Sequence, residues 1–313
     1  MSAQSRESAQ PPRVTVTHPA RRQIGGRLRH VVTVSLVAVM LVAAATAFNA
    51  ARVRATSPFA GVKYYYLGLG DSLAFGYEPN FDWSHGYVQK WYPNLQAHGS
   101  HSLTNYGCNG EKSNTFINGG CPYAFLLHNY YSGAQLNAAV KFIKGHAGNV
   151  SPVSLDMGAN DVLPDINTST CAVSGSWESD LATMDGNLSN TILPQLINAL
   201  KNSSGQVTGD LVMMNYYNPF QAQCPADTQY ITELNAHLAA DWTAGWQHAG
   251  FAAAPYGLVD VYTAFGGTAT QNDCTNTWMC SSYNDIHATG GQSGEPGNGY
   301  GAIAGAFESL TGY

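Results

Sequence analysis

A polar turn that carries a serine interrupts an apolar run near position 70. The run KYYYLGL (63–69) is typical of a buried strand, and the tetrapeptide GDSL (70–73) follows it directly. A serine in that place has two interpretations. Ser72 is either the N-cap of a following helix, as serine often is, or a nucleophile displayed at the carboxyl end of the strand. The turn alone does not separate them.

Three later stretches place small or polar residues in similar positions. They are LTNYGCNGE with Gly107, SLDMGANDVLPD with Gly158, Asn160 and Asp161, and YNDIH with Asp285 and His287. The first two follow predicted strands, and the third lies near the C-terminus. Four blocks in a fixed order, several of them at strand ends, are a far more specific signal than one tetrapeptide.

In this order the four blocks resemble the GDSL family of serine hydrolases, also called SGNH hydrolases. The resemblance covers about residues 60–310. It implies a three-layer α/β/α sandwich around a central parallel sheet, the flavodoxin-like SGNH hydrolase fold. It also implies hydrolysis of carboxylic esters through an acyl-serine intermediate, with no cofactor and no metal.

The resemblance assigns roles to individual residues. Ser72 attacks the acyl carbon, and His287 takes its proton and later protonates the leaving alcohol. The oxyanion of the tetrahedral intermediate is held by the backbone N–H groups of Ser72 and Gly107 and by the side-chain amide of Asn160.

The group that orients His287 stays open. The common family pattern has an aspartate three residues before the histidine, where this chain has Asn284. Asp285 is two residues before it, so the orienting acceptor is either the Asp285 carboxylate or a backbone carbonyl. Asp71 and Asp161 are expected to brace their loops through hydrogen bonds to backbone.

The elements that position these residues alternate between strands and helices. Strands are predicted at KYYYLGL, PVSLDM, DLVMMNYY and, less clearly, GFAAAP. The apolar spacing over 181–200 predicts one helix, and a second is predicted over 230–250. Such alternation implies a parallel sheet with helices on both faces. In such sheets functional groups collect at the carboxyl ends of the strands.

The first 55 residues form a basic leader followed by a signal peptide or a signal anchor. An uncharged stretch, 31–48, follows ARRQIGGRLRH and ends in an Ala-Thr-Ala site. The alanine-rich end favours cleavage, and the preceding arginines keep that end in the cytoplasm. We therefore expect residues 56–313 to form a hydrolase domain that is secreted, or held on the outer face of the membrane by residues 31–48.

Charge excludes one class of partner. All eight arginines lie within the first 54 residues, so residues 55–313 carry six lysines against 19 acidic residues, a net charge of −13. That charge repels polyanions, and nucleic acid is excluded as a partner. We expect a monomer that contacts a membrane only through an uncleaved N-terminal segment. The sparse charge also suggests a surface suited to an acidic exterior.

The cysteines indicate disulfides. An even number in an exported chain is typical of disulfide bonding, and the chain has no C-x-x-C motif to suggest zinc or redox chemistry. Sequential pairing closes the shortest loops, although six cysteines allow fifteen pairings. The sequential pairs are Cys108–Cys121, Cys171–Cys224 and Cys274–Cys280.

The sequence leaves the substrate open. A small or medium acyl ester, or a lipid ester, is the first expectation, with Phe81, Trp83 and Tyr87 as candidate pocket aromatics. One alternative is an O-deacetylase of polysaccharide with the same fold. Another is a non-catalytic surface or carbohydrate-binding protein, which would have no need of an oxyanion hole.

Overall fold

Four parallel strands form the centre of the computed structural model, which describes residues 57–313. The strands are β1 (Tyr65–Gly70), β2 (Ser102–Asn105), β3 (Val150–Asp156) and β6 (Leu211–Met213), and their spatial order is β2-β1-β3-β6. A separate two-stranded hairpin pairs β4 (Ile166–Asn167) with β5 (Ala172–Val173). In register, Tyr65 of β1 lies between Ser102 and Val150. The central strand β1 therefore ends where the serine turn begins.

Eleven α-helices lie among the described residues. They are α1 (Ser72–Phe75), α2 (Tyr87–Ala97), α3 (Ser113–Asn118), α4 (Gln135–Gly145), α5 (Ala159–Val162), α6 (Trp177–Asn187), α7 (Leu193–Ala199), α8 (Thr228–His248), α9 (Val261–Ala264), α10 (Thr270–Asn276) and α11 (Gly299–Thr311). Helix α11 packs against α2, α9 and α10, whereas α4, α7 and α8 pack together in a second group. The two groups flank the sheet, and the predicted α/β/α sandwich is confirmed.

The strands are buried because helices cover both faces of the sheet. All seven residues of β3 and the last five of β1 are buried. Parallel strands covered in this way read as continuous apolar runs, which is why PVSLDM and KYYYLGL were identifiable from sequence. Polar residues appear where these strands end, and the candidate site is built from them.

Two predicted elements differ from the structure. The helix predicted over 181–200 is divided into α6 and α7 by a π-helical turn, Leu188–Ile192. Pro194 stands at the start of α7 and has no N–H to donate to the preceding turn. The strand predicted at GFAAAP is wrong. Its alanines favour strands weakly and Pro255 cannot donate to a ladder, and Val259 instead makes a single parallel bridge to Met214.

The predicted leader and signal segment fall outside the described residues. Within residues 57–313, no helix combines the length and the apolar character needed to cross a membrane.

Candidate active site

The serine turn is a sharp junction between β1 and α1. Asp71, rather than Ser72, is the N-cap of α1, and its Oδ1 accepts the N–H of Leu73 at 2.9 Å. The N-cap interpretation of Ser72 is therefore wrong. Ser72 is the first residue of the helix, 6% exposed, and its Oγ lies 2.8 Å from the Nε2 of His287.

A buried carboxyl group accepts hydrogen bonds from the backbone of the serine turn. Asp156, the last residue of β3, accepts the backbone N–H groups of Asp71 and Ala74 at 3.2 Å each and the hydroxyl of Tyr87 at 2.8 Å. Position 70 has room only for glycine, because a Cβ there would lie 2.3 Å from the Asp156 carbonyl oxygen. Burial, and then the charge of Asp71, raise the pKa of Asp156 well above its usual range.

The predicted bracing of the two loops by aspartates is confirmed. Besides capping α1, Asp71 accepts the Tyr216 hydroxyl at 2.8 Å. Asp161 accepts the backbone N–H of Ser113 at 2.9 Å and its hydroxyl at 2.7 Å. Each aspartate therefore fixes a loop that borders the serine, and neither points its carboxylate at the His287 ring.

His287 reaches the serine from the segment between α10 and α11. Its Nδ1 lies 2.5 Å from the Oδ1 of Asp285, and that oxygen also accepts the His287 backbone N–H at 2.9 Å. Partial burial raises the pKa of Asp285, but the hydrogen bonds and charge of His287 outweigh it, and the pKa is lowered overall. The structure thus joins Asp285, His287 and Ser72 in one hydrogen-bonded chain, with a carboxylate rather than a carbonyl at Nδ1.

The predicted oxyanion donors are not all available. Among residues 57–313, the N–H of Ser72 has no hydrogen-bond acceptor. Asn160 lies beside Ser72 and donates one amide hydrogen to the carbonyl of Glu111 at 3.0 Å, which leaves its second hydrogen. The N–H of Gly107, in contrast, donates to Asn105 Oδ1 at 2.8 Å. The N–H of Gly107 is therefore not free to bind an oxyanion, and its predicted role is wrong.

Packing explains why position 107 is a glycine. A Cβ on Gly107 would lie 2.4 Å from the backbone nitrogen of Phe75, so the glycine lets this loop pack against α1. The later glycine of the same stretch, Gly110, immediately precedes Glu111, the residue that holds the Asn160 amide. Its N–H has no acceptor within the described part of the chain. The donor predicted from the sequence is Gly107, the first glycine of GCNG, whereas the glycine whose N–H is left without an acceptor in the described structure is Gly110, the second.

The cavity beside Ser72 is small. Its volume is about 30 Å³, and its walls are mainly apolar. The lining side chains include Leu73, Ala159, Leu163, Tyr216, Tyr217, Pro219 and Ile286. The aromatic residues expected to line it do not. Tyr87 is fully buried against Asp156, whereas Phe81 is 78% exposed.

The three disulfides pair sequentially, as expected: Cys108–Cys121, Cys171–Cys224 and Cys274–Cys280.

A cluster of three carboxylates lies elsewhere in the described residues. It is the one candidate metal-ligand set there that contains no disulfide cysteine, with ligand oxygens within 4.8 Å of one another, and it consists of Glu78, Asp82 and Glu295. None of these three carboxylates lines the cavity beside Ser72.

No protein-family model matches the chain, and no curated protein matches it either. Solved structures do match. A lipase from a goat rumen metagenome shares 18% identity at a TM-score of 0.51, over 79% of this chain and 96% of the lipase. A lipase/acylhydrolase from Enterococcus faecalis shares 16% identity (TM-score 0.46; 79% and 95% coverage). An acetylxylan esterase from Geobacillus stearothermophilus shares 15% (TM-score 0.44; 81% and 96% coverage). The first likeness establishes a common fold, the one that the GDSL resemblance implies.

Proposed function

We propose that the chain is an exported serine hydrolase of the GDSL, or SGNH, family that cleaves carboxylic esters of short acyl groups. The observation that carries the proposal is the unbroken chain of hydrogen bonds from Asp285 through His287 to Ser72 Oγ, at the edge of a cavity. A purely structural serine–histidine contact would not need a carboxylate aligned behind the ring.

Each group has a defined part in the reaction. His287 Nε2 accepts the Ser72 proton as Oγ attacks the acyl carbon, and Asp285 holds the ring and stabilises its protonated form. The oxyanion then receives hydrogen bonds from the Ser72 N–H, the second amide hydrogen of Asn160 and the N–H of Gly110. Collapse of the intermediate transfers the proton from His287 to the leaving alcohol. Water activated by the same ring then releases the acid and restores Ser72.

The size of the cavity supports a short acyl group. A volume of about 30 Å³ accommodates roughly two water-sized groups, since one occupies about 10–15 Å³ on the same measure. An acetyl methyl fits within this space, whereas a long lipid chain would have to extend out of the cavity and along the surface. The same observation favours a second candidate, the O-deacetylation of polysaccharide, because that reaction also removes an acetyl group.

Export rests on the N-terminal sequence and on the disulfides. All six cysteines are paired in the structure, and such bonds persist in oxidising compartments. They support an extracellular location together with the predicted signal segment.

The test is hydrolysis of p-nitrophenyl acetate, butyrate and palmitate by the disulfide-bonded protein and by Ser72→Ala. We expect the variant to lose essentially all activity, and the wild type to prefer acetate over butyrate by about tenfold or more. Ser204→Ala, which removes an exposed loop serine, is the matched control. Unchanged activity in Ser72→Ala would contradict the proposed nucleophile. A preference for palmitate would contradict the short acyl group, and release of acetate from acetylated xylan alone would favour the deacetylase.

A further inference from the structure

A second buried carboxyl group lies between the two halves of the candidate site, and the proposed mechanism does not use it. Glu78 follows the serine helix by three residues, and its side chain is 0% exposed. Its Oε2 accepts the backbone N–H of Gly290 at 2.7 Å and the indole N–H of Trp278 at 3.1 Å. Both donors belong to the segment that carries His287.

These contacts connect the segment that carries the base to the segment that carries the nucleophile. Trp278 also donates its backbone N–H to the carbonyl of His287 at 3.0 Å, and Gly290 follows His287 by three residues. On the other side, Tyr77 adjoins Glu78 and packs its ring 4.5 Å from the His287 ring. A shift of the Glu78 carboxyl group would therefore move the support of the base relative to Ser72.

The surroundings of Glu78 disfavour a charge. Its Oε1 is buried and has no hydrogen-bond partner within residues 57–313. Ligand oxygens of Asp82 and Glu295 lie within 4.8 Å of the Glu78 carboxyl group. The Tyr300 hydroxyl on α11 donates to the carbonyl of Tyr77 at 2.7 Å rather than to Glu78.

The neighbouring groups do not compensate that charge. His85 is bound to Asp82 at 2.7 Å, and Glu295 accepts from Asn80 and Gln292. Each ion pair among the described residues involves a histidine, so no lysine pairs with these carboxylates. Burial, and then the charge of Glu295, raise the pKa of Glu78 to about 7.

We propose that Glu78 is a positioning residue that joins the base-bearing segment to the nucleophile-bearing segment as an uncharged carboxylic acid. The inference rests on the proposed esterase function. A neutral acid accepts both N–H groups through its carbonyl oxygen and leaves no buried negative charge. Ionisation creates an unpartnered buried charge that faces two other carboxylates. Repulsion between the Glu78 and Glu295 carboxylates then displaces the segment that carries His287. The His287 ring moves beyond hydrogen-bonding distance of Ser72.

The kinetic test compares wild type, Glu78→Gln and Glu78→Ala with p-nitrophenyl acetate from about pH 5 to about pH 9. Glutamine mimics the neutral acid: its carbonyl accepts the same two N–H groups, and it does not ionise. We expect wild-type kcat to fall about tenfold for each pH unit above the transition, whereas Glu78→Gln keeps its activity there. Glu78→Ala should lose about 100-fold in kcat with little change in KM, because the base is misplaced.

Two kinetic outcomes would overturn the proposal. One is a Glu78→Gln enzyme with the same alkaline loss as wild type, and the other is a fully active Glu78→Ala enzyme. Should Glu78→Ala fail to fold, the glutamine variant alone decides, since it is nearly isosteric with the native side chain.

A second measurement does not depend on esterase activity, and it separates failure of this inference from failure of the proposed function. A carboxyl group whose pKa is raised on folding contributes stability below its unfolded pKa, and that contribution is lost as pH rises through the folded pKa. The Tm of wild type should therefore fall relative to that of Glu78→Gln as pH rises from 4.5, the usual pKa of the group, to about 7, and the difference should level off above that value. Parallel Tm profiles would show that Glu78 does not ionise in this range and would overturn the proposal.

A divalent cation is the rival explanation for three converging carboxylates. Wild type treated with EDTA and then with calcium chloride should show unchanged kcat and Tm. A gain on adding calcium that Glu295→Gln does not show would overturn the proposal, because a cation rather than a proton would then hold the segments together.

Discussion

The nucleophile and its base are held in place by different kinds of structure. Ser72 stands at the end of the central strand, where backbone hydrogen bonds of the sheet continue into α1 and Asp156 closes the turn from below. His287 stands in the segment 277–298 between two helices. Within this described segment, the bridge between Thr277 and Ala288 is the one β-pairing. Hydrogen bonds that involve side chains, such as those of Glu78 with Gly290 and Trp278, hold that segment against the rest of the described structure.

The difference implies different sensitivities. The serine turn is specified by sheet geometry, and its Gly70 has no room for a side chain. The base segment depends on a few long-range contacts, among them those of Glu78 and the hydrogen bond from the Tyr217 hydroxyl to the Ile286 carbonyl. The Cys274–Cys280 disulfide also holds it at its start. We therefore expect changes near Ser72 to alter folding and activity together, and changes in the base segment to affect mainly activity.

The largest effect should come from the base segment through Asp285→Asn. Asparagine has an NH₂ donor in place of one of the two carboxylate oxygens that accept hydrogen bonds. The ring of His287 therefore loses its orientation and the negative charge that stabilises its protonated form. We expect kcat to fall on the order of 10³–10⁴-fold with little loss of stability, measured by ester hydrolysis and urea unfolding. Asp180→Asn on α6 is the control. A mild loss of kcat would mean that another acceptor orients the ring.

The sequence identified the residues that chemistry constrains most. Ser72, Asp285 and His287 are recognisable because their identities and their order along the chain carry the signal, and the structure places them in contact. Glu78 and Asp156 carry no comparable signal. Their importance arises from what they contact at a distance, since Glu78 binds Trp278 across 200 positions.

Close packing misled the sequence interpretation at Gly107. A glycine in a loop at a strand end fits both a donor of N–H to an oxyanion and a site of close approach. Here the approach to Phe75 explains the residue, and its N–H is already bound by Asn105. Pattern alone does not show which hydrogen bonds a loop makes with itself. Asp156 similarly reads as an ordinary strand residue within PVSLDM until its partners are known.

The second effect tests the nucleophile side through Asp156→Ala. The change leaves the buried N–H groups of Asp71 and Ala74 and the hydroxyl of Tyr87 without acceptors. We expect a loss of about 3 kcal/mol or more in the free energy of unfolding, together with loss of activity. Urea unfolding measures the first and ester hydrolysis the second. Asp156→Asn should be milder, since its amide oxygen still accepts. Equal stability of Asp156→Ala and wild type would remove the proposed asymmetry.

The third effect concerns the disulfide at the start of the base segment. Replacing Cys274 and Cys280 by serine opens a loop of sequence separation 6, and loop-closure entropy predicts a loss of about 2 kcal/mol. The matched pair, Cys171 and Cys224, has a separation of 53 and should cost about 4 kcal/mol on the same reasoning. Thermal unfolding of both variants measures the order. A larger loss for the short loop would show that the base segment depends on this bond for more than chain entropy.

The smallest effect concerns a buried acid outside both segments. Asp241 on α8 is 5% exposed, its Oδ2 has no partner among the described residues, and it faces Asp185, which binds His237 at 2.9 Å. Burial, and then the charge of Asp185, raise the pKa of Asp241 to about 8. Its contribution to stability is thus lost progressively as pH rises from 3.8, its usual pKa, to about 8.

Asp241→Asn should therefore raise Tm relative to wild type by an amount that grows as pH rises from 3.8 to about 8. The gain should reach about 3 °C near pH 9, and kcat should be unchanged throughout. Comparison with Glu78→Gln then separates local from global effects. If both variants abolished the alkaline loss of kcat, that loss would reflect general unfolding rather than movement of His287. If Asp241→Asn changes only Tm while Glu78→Gln also changes kcat, the base segment is the part of the molecule that responds to pH in catalysis.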